Sequence, residues 1–257
     1  MASPSTAAAD QPSSRLRAYG RLAALGVWFL ACILPHLIAR LFGGSRWPRR
    51  FMRGAARICG ADVAREGAPA RPGTLLVANH VSWLDIPVLC AATGCAFISK
   101  VEMAGHPVMR WFADQNATVY VDRTDKRGIR MQADSLVEAL RRGAQPLALF
   151  PEGTVGDGRR LLPFKPPLFS AVADPSLEIR IRPVAIDYGR FVGALGWSGE
   201  PGVQNFLRVL GRRGRIPVTV RLLEPIAPSS DRKSLARAAH DAVAEALAPS
   251  GIAPAGV

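Results

Sequence analysis

The stretch TLLVANHVSWLD, residues 74–85, joins an apolar run to a polar turn that carries a histidine and an aspartate. The run Thr74–Ala78 is almost continuously apolar, which predicts a strand buried on both faces. His80 and Asp85 follow, five residues apart. Five residues rotate an ideal helix by about 140°, so these side chains can meet only if His80 lies on a turn and Asp85 in the first turn of a helix. The stretch therefore predicts a strand, a turn and a helix.

The same residues suit acid–base chemistry. A histidine can take a proton from a hydroxyl at neutral pH, and a carboxylate bonded to its other ring nitrogen fixes the tautomer that does so. No serine or cysteine nucleophile is needed when the hydroxyl belongs to the substrate. A structural interpretation is equally open, because Ser82 and Asp85 have the spacing of a helix-capping box. Asp85 would then only begin a helix, and His80 would only occupy a turn.

The rest of the chain alternates strand-like and helix-like segments. The predicted strands are residues 74–78, 95–99, 117–121, 146–150, 179–186 and 216–223. The predicted helices are residues 84–92, 106–115, 126–142 and 231–247. This alternation predicts the α/β class, with a central, largely parallel sheet flanked by helices.

Polar residues follow the predicted strands, at the edge where sheets of this class form their sites. Lys100 follows the second strand, Arg123 the third, and Glu152, Gly153 and Thr154 the fourth. An arginine can grip a phosphate or carboxylate with two parallel bonds, and the amides of a glycine turn can bind an anion. Each feature alone also has an ordinary explanation: a solvated lysine, a surface ion pair or a tight turn. Together they predict one site.

The N-terminal part of the chain is basic and apolar. Between Gln11 and Ala61 there are nine arginines and no Asp or Glu, and the 18 residues Leu22–Ala39 are mostly apolar. Such a segment can span a bilayer, or form a hairpin in one leaflet that bends at Pro35, with arginines at the head groups. The chain is therefore divided into a disordered tail (1–17), a basic apolar membrane-associating helical region (18–59) and a domain containing the sheet (60–257).

Several classes of function are disfavoured by the sequence. The formal net charge is +13, but no nucleic-acid-binding motif occurs and the arginines bracket an apolar segment, so the expected partner is an anionic membrane surface and not nucleic acid. There is no G-x-S-x-G elbow, P-loop or G-x-G-x-x-G motif, which argues against serine hydrolases, P-loop NTPases and dinucleotide enzymes. The four cysteines lack metal-ligand spacing, and no metal is predicted.

Four blocks together resemble the glycerolipid acyltransferase family, typified by bacterial 1-acylglycerol-3-phosphate acyltransferases. The family's N-H-x-x-x-x-D block is matched by Asn79, His80 and Asp85. Its Asp-Arg block is matched at residues 120–123, its F-P-E-G-T-R block at 150–154, and its V-P-V-A-I-like strand at 182–186. The blocks occur in the family's order, and the resemblance covers about residues 57–228.

The resemblance implies that His80 is the general base on a lysolipid hydroxyl, oriented by Asp85, and that this hydroxyl attacks an acyl thioester. The donor is then acyl-CoA or an acyl carrier protein thioester, and no cofactor is bound. The N-terminal helices are expected to dock on the membrane, at the cytoplasmic face of the inner membrane. The expected substrate-binding residues are Asn79, Ser82, Lys100, Arg123, Glu152, Gly153, Thr154 and Lys165.

One position departs from the family pattern. Val155 stands where the third block usually has an arginine, and a valine cannot bind phosphate. Either Arg159, Arg160 or Lys165 substitutes, or the acceptor head group is not a simple phosphate, as in the related lyso-ornithine lipid acyltransferases. We expect 1-acyl-sn-glycerol-3-phosphate as the acceptor, with lyso-ornithine lipid as the alternative. A non-catalytic membrane lipid-binding protein is the alternative from another class.

Overall fold

A computed structural model describes residues 13–100, 105, 107–121, 129–197 and 199–255 of the chain. The helices are α1 (Arg15–Leu41), α2 (Trp47–Ile58), α3 (Asp85–Thr93), α4 (Pro107–Gln115), α5 (Ile129–Arg142), α6 (Val192–Leu195), α7 (Gly202–Leu210) and α8 (Arg232–Leu247). The strands are β1 (Ala61–Glu66), β2 (Thr74–Ala78), β3 (Ala96–Lys100), β4 (Val119–Val121), β5 (Leu147–Leu149), β6 (Arg160–Leu161), β7 (Arg180–Asp187), β8 (Ile216–Leu222) and β9 (Ala253–Pro254).

In the part of the chain that is described, seven strands form one sheet in the order β1-β8-β7-β2-β5-β3-β4. Every neighbouring pair is parallel except β7 and β8, which are antiparallel. The predicted α/β class with a central, largely parallel sheet is therefore confirmed. The apolar run at residues 74–78 forms the middle strand, β2, and every residue of that strand is buried.

Helices cover both faces of the sheet, and β2 contributes side chains to each side. Leu76 and Ala78 pack with α2, α3 and α7, whereas Leu75 and Val77 pack with α5 and α8. Alternate residues of a strand point to opposite faces, so a strand covered on both faces must be apolar throughout. This burial explains why the run lacks alternation.

Strand β1 and helix α7 are the longest strand and the longest α-helix that were not predicted from the sequence. Strand β1 is an edge strand whose residues are mostly exposed, so it has no apolar pattern to identify it. Helix α7 lies within residues that the sequence indicated only as a long connection, and it is short and begins at Gly202. Its buried residues, Val209 and Leu210, join the core beside α2 and α3. Tertiary packing, which no local pattern contains, stabilises both elements.

The apolar N-terminal segment forms one helix and does not bend at Pro35. Helix α1 continues through Pro35 to Leu41, so the hairpin predicted at that proline is wrong. The chain reverses instead after Leu41, where Gly43 has a φ of +92°, and α2 packs back along α1. Residues 1–12 of the predicted tail lie outside the described residues, and α1 begins at Arg15.

The end of β2 is fixed to β7 by the side chain of Asn79. Its amide nitrogen donates to the carbonyl oxygen of Ile186 at 3.0 Å, and its carbonyl oxygen accepts from the amide of Ile186 at 2.8 Å. These bonds extend the parallel pairing that ends at Ala78 and Val184. Asn79 is buried, so its side chain continues the sheet and sets the point from which His80 leaves it.

We expect Asn79→Ala to lower the free energy of unfolding by about 2–3 kcal/mol, because the buried amide and carbonyl of Ile186 lose their partners. Denaturant unfolding of the detergent-solubilised protein measures the change. Gln204→Ala, at an exposed position of α7, is the control and should leave the unfolding free energy within about 0.5 kcal/mol of wild type. Equal stabilities for the two variants would contradict this role.

Candidate active site

His80 and Asp85 form a hydrogen-bonded pair where β2 ends. His80 lies on the turn after the strand, and Asp85 is the first residue of α3. The His80 Nδ1 atom is 2.8 Å from Oδ2 of Asp85. A carboxylate only accepts hydrogen bonds, so Nδ1 carries the proton and Nε2 presents a lone pair. In the described part of the chain no residue bonds to Nε2, and the His80 side chain is 15% exposed.

Asp85 is fully buried and accepts four hydrogen bonds. Besides His80, its Oδ2 accepts from the amides of Val81 at 2.6 Å and Ser82 at 2.8 Å. Its Oδ1 accepts from the hydroxyl of Tyr188 at 2.7 Å. The structural and the chemical interpretations of the motif are therefore compatible. One carboxylate bonds the amides of the turn before α3 and also bonds the histidine.

The segment after β5 holds the backbone of His80 on both sides. The amide of His80 donates to Oε1 of Glu152 at 2.8 Å, and its carbonyl accepts from the amide of Gly156 at 3.3 Å. The imidazole ring stacks on Phe150, with ring centroids 4.1 Å apart and an interplanar angle of 13°. Since backbone and ring are both fixed, the orientation of Nε2 is set by residues far away in sequence.

Glu152 is buried beside this pair. Burial raises the pKa of its carboxyl to about 8; the hydrogen bond from the His80 amide acts against the rise, and the nearby charge of Asp85 adds to it. The side chain therefore keeps its proton at neutral pH. Its bond is to the protein backbone, so the structure gives Glu152 a part in holding His80 in addition to the head-group role expected from the sequence.

The other predicted residues differ in their surroundings. Ser82 is buried, and its hydroxyl accepts from the amide of Leu84 at 3.4 Å. Gly153 has a φ of +71°, which a glycine adopts without strain, and Thr154 next to it is exposed. Lys165 has an exposed side chain, while its amide bonds the carbonyl of Pro151 at 2.9 Å.

Two of the predictions cannot be placed. Arg123 lies outside the described residues. Lys100 ends β3, but its side chain also lies outside the described part. Of the predicted substrate-binding residues, Asn79, Ser82 and Glu152 lie at the His80 turn. The side chains of Thr154 and Lys165 are exposed to solvent.

The sequence analysis missed Tyr188 and the packing around Gly158. Tyr188 follows β7 directly, so the rule that site residues follow parallel strands would have found it. Gly158 has a φ of +75° and is buried where a Cβ atom would meet Val192 and Val81, next to His80. That close approach joins the segment after Glu152 to the histidine turn, and no sequence pattern indicated it.

The arrangement can act as a general base on a hydroxyl. Nε2 is free to accept a proton, and Asp85 stabilises the imidazolium that forms. Within the described residues no group of three or more His, Cys, Asp or Glu side chains could hold a metal ion.

Comparisons with known proteins agree with this chemistry. A protein-family model described as Acyltransferase matches residues 61–187. A lyso-ornithine lipid O-acyltransferase of Brucella abortus (strain 2308) is 36% identical over 231 residues, 81% of this chain and 85% of that protein. A 1-acyl-sn-glycerol-3-phosphate acyltransferase of Neisseria gonorrhoeae is 38% identical over 126 residues, 49% of each chain.

A solved structure has the same fold. The crystal structure of the 1-acyl-sn-glycerophosphate (LPA) acyltransferase PlsC from Thermotoga maritima superposes with a TM-score of 0.63 at 20% identity. The match covers 90% of this chain and 97% of that one.

We expect Glu152→Gln to change how stability depends on pH. A glutamate in the unfolded chain ionises around its ordinary pKa of 4.5, whereas the folded protein keeps the proton up to about 8. Wild type should therefore lose stability relative to the variant as pH rises from 4.5 to 8, by at most about 1.4 kcal/mol per pH unit. Chemical unfolding at several pH values tests this. Glu245→Gln, at an exposed site, should follow wild type, and parallel curves for wild type and Glu152→Gln would contradict the prediction.

Proposed function

Because the chain belongs to the acyltransferase family, we propose that it moves a fatty acyl group from a thioester to the free hydroxyl of a lysolipid. The observation that carries this proposal is the 2.8 Å bond between Nδ1 of His80 and Oδ2 of Asp85, which leaves Nε2 as the proton acceptor. The relatives support it, since the Brucella and Neisseria proteins are named as acyltransferases that act on lysolipids.

The reaction follows from the position of the free nitrogen. Nε2 of His80 takes the proton of the acceptor hydroxyl as its oxygen attacks the thioester carbonyl. The tetrahedral intermediate then collapses, the carbon–sulfur bond breaks, and the thiol leaves with the proton that Nε2 held. Asp85 keeps the imidazole in one orientation and stabilises its charged form during both steps.

We propose lyso-ornithine lipid as the acceptor, ahead of 1-acyl-sn-glycerol-3-phosphate. The Brucella relative named for that lipid matches over 81% of this chain, whereas the Neisseria relative matches over 49%. Val155, which cannot bind a phosphate, also favours a head group other than a simple phosphate. We keep 1-acyl-sn-glycerol-3-phosphate as the second acceptor because of Arg159. This exposed arginine belongs to the segment that packs on the His80 turn and lies close to Gly193, so it can bind an anionic head group.

We propose that the N-terminal helices lie on the membrane surface and do not cross it. Helix α1 is long and apolar enough to span a bilayer, and only 11% of its most apolar window is buried in the protein. Its two ends, however, are both bonded to the domain. Arg21 donates to the carbonyl of Leu210 at 2.9 Å, and His36 bonds Gln115 at 2.8 Å one turn before the other end. A helix attached at both ends can bury its outer face in one leaflet.

The charge beside α1 fits an anionic membrane. Four exposed arginines lie on one side of α2 and its N-terminus, and none forms an ion pair within the described residues: Arg46, Arg50, Arg53 and Arg57. Arg50, Arg53 and Arg57 border a groove that also includes Trp28 of α1. Arginines at the head-group level and an indole at the interface are typical of proteins that bind anionic leaflets.

The expected donors are acyl-CoA and acyl carrier protein thioesters, both of which are anionic and cytoplasmic. We therefore propose that the enzyme acts at the cytoplasmic face of the inner membrane. The uncompensated arginines of α2 would attract either donor.

We expect purified wild type to transfer acyl groups to lyso-ornithine lipid faster than to 1-acyl-sn-glycerol-3-phosphate, with either donor. His80→Ala should lower kcat about 10²–10⁴-fold, because the general base is lost. Product formation from labelled acyl-CoA and acyl carrier protein thioester, with each acceptor, measures both effects.

The outcomes separate the alternatives. A preference for 1-acyl-sn-glycerol-3-phosphate would reverse the acceptor assignment and keep the mechanism. Transfer that His80→Ala leaves unchanged would reject His80 as the base. Binding of lysolipid without transfer to either acceptor would support the non-catalytic lipid-binding protein instead.

We expect the double variant Leu30→Glu, Leu34→Glu to bind anionic liposomes at least tenfold more weakly, since two exposed apolar side chains of α1 become charged. Liposome flotation measures binding. Val203→Glu changes a similarly exposed apolar residue that lies outside α1, at the N-terminal end of α7, and should leave binding unchanged. Equal losses in both variants would reject α1 as the docking face.

A further inference from the structure

We infer that Tyr188 is a positioning residue for the transfer, because it holds the carboxylate of Asp85 in the orientation that bonds His80. The inference rests on the proposed function of the His80–Asp85 pair. Tyr188 does not belong to the N-H-x-x-x-x-D block and lies 103 residues from Asp85 along the chain. It does not touch the reacting atoms, and it acts only through Asp85.

The two oxygens of Asp85 have separate partners. Oδ2 receives His80 and the amides of Val81 and Ser82, while Oδ1 receives the hydroxyl of Tyr188 at 2.7 Å. A carboxylate group rotates in a broad, two-fold well, so its own torsion does not fix the plane of the group. The Tyr188 hydroxyl, the one donor to Oδ1 within the described residues, fixes that plane together with the three donors to Oδ2.

The tyrosine is a permanent donor. It is 1% exposed, and burial together with the adjacent Asp85 raises the pKa of its phenol well above the ordinary value of 10. The hydroxyl therefore keeps its proton at every pH at which the enzyme would work. A donor to a buried carboxylate also withdraws part of its charge from His80, because a charge-assisted bond spreads the negative charge over both groups.

Strand β7 places this donor from the same segment that fixes the other end of the motif. Ile186 bonds Asn79, the residue before His80, and Tyr188 two positions later bonds Asp85. Tyr188 directly follows β7, and its side chain belongs to the same core cluster as that of Ile186. The carboxyl end of β7 therefore holds the His80 turn at its start and at its end.

The decisive experiment compares Tyr188→Phe with wild type in the acyl-transfer assay. We expect kcat to fall about tenfold, as for the loss of a hydrogen bond to a charged group, while KM for both substrates stays within twofold. The kcat values are expressed per folded enzyme, determined from the far-ultraviolet circular dichroism of each preparation. A structural role alone would lower the amount of folded enzyme and leave this normalised kcat at the wild-type value.

The pH profile of kcat supplies a second readout. The titratable groups that face Asp85 among the described residues are His80, Tyr188 and Glu152. Without the hydroxyl, Asp85 presents more negative charge to His80 and stabilises its imidazolium form. We therefore expect the acid limb of the profile to move to higher pH. The limb is measured below about pH 7.5, where Glu152 keeps its proton.

A matched control removes the same type of bond without touching the pair. The hydroxyl of Ser250 donates to Oδ2 of Asp187 at 2.6 Å, one residue before Tyr188. Ser250→Ala therefore takes one hydroxyl from a buried carboxylate at the same end of β7. It should leave kcat and the acid limb unchanged. A fall in kcat equal to that of Tyr188→Phe would assign the effect to general loosening of the strand end and overturn the inference.

Coupling to Asp85 tests the route of action. In an Asp85→Asn background, adding Tyr188→Phe should change kcat less than twofold, because the carboxylate through which the tyrosine acts is gone. A full tenfold effect in that background would overturn the inference.

Should Tyr188→Phe not fold, fluorotyrosine at position 188 answers the same question. The chain has only three tyrosines, so Tyr19→Phe and Tyr120→Phe leave position 188 as the one site of global fluorotyrosine labelling. The fluorinated phenol is nearly isosteric and a stronger donor, and it should move the acid limb to lower pH. An unmoved limb would overturn the inference.

The failure of this inference can be distinguished from the failure of the proposed function. If wild type shows no His80-dependent transfer, both are rejected. If wild type is active and the tyrosine variants behave like it, only the inference is rejected.

Discussion

The buried carboxylate of Asp85 is the group on which the site depends. A charge with no exposed surface is costly unless donors surround it, and Asp85 has four. These donors come from the turn after β2 and from the end of β7, so satisfying one carboxylate fixes two strands and a helix relative to each other. The orientation of His80 is then a consequence of that requirement.

The segment after β5 adds a second restraint from a different direction. Glu152 and Gly156 bond the amide and the carbonyl of His80, and Phe150 lies flat against its ring. A general base needs such restraint, because its free nitrogen must be aligned with the hydroxyl before proton transfer begins. Burial of Glu152 in its neutral form provides a polar contact to the backbone without placing a second negative charge beside Asp85.

Helix α1, the proposed membrane-docking helix, is joined to this core at both of its ends. Arg17 and Arg21 bond carbonyl oxygens at the end of α7, and His36 and Arg40 bond Gln115 of α4. The outer face of α1 is left exposed along the whole helix, with large apolar side chains that the protein does not cover. Such a surface is stabilised by an apolar phase, and in the proposed orientation its fixed attachment would hold the His80–Asp85 pair at a constant height above the bilayer.

The sequence by itself determined the strand–turn–helix unit, the His80–Asp85 pair, the largely parallel α/β sheet and the family. These depend on spacing within a few residues and on uninterrupted apolar runs, which a linear pattern contains. The tertiary structure alone decided that α1 passes straight through Pro35, that the exposed strand β1 and the short helix α7 form, and that Tyr188 and Glu152 meet the pair from 103 and 72 residues away. Those features depend on packing between distant segments. The tertiary fold, and not the local sequence, determines which residues donate hydrogen bonds to the buried carboxylate.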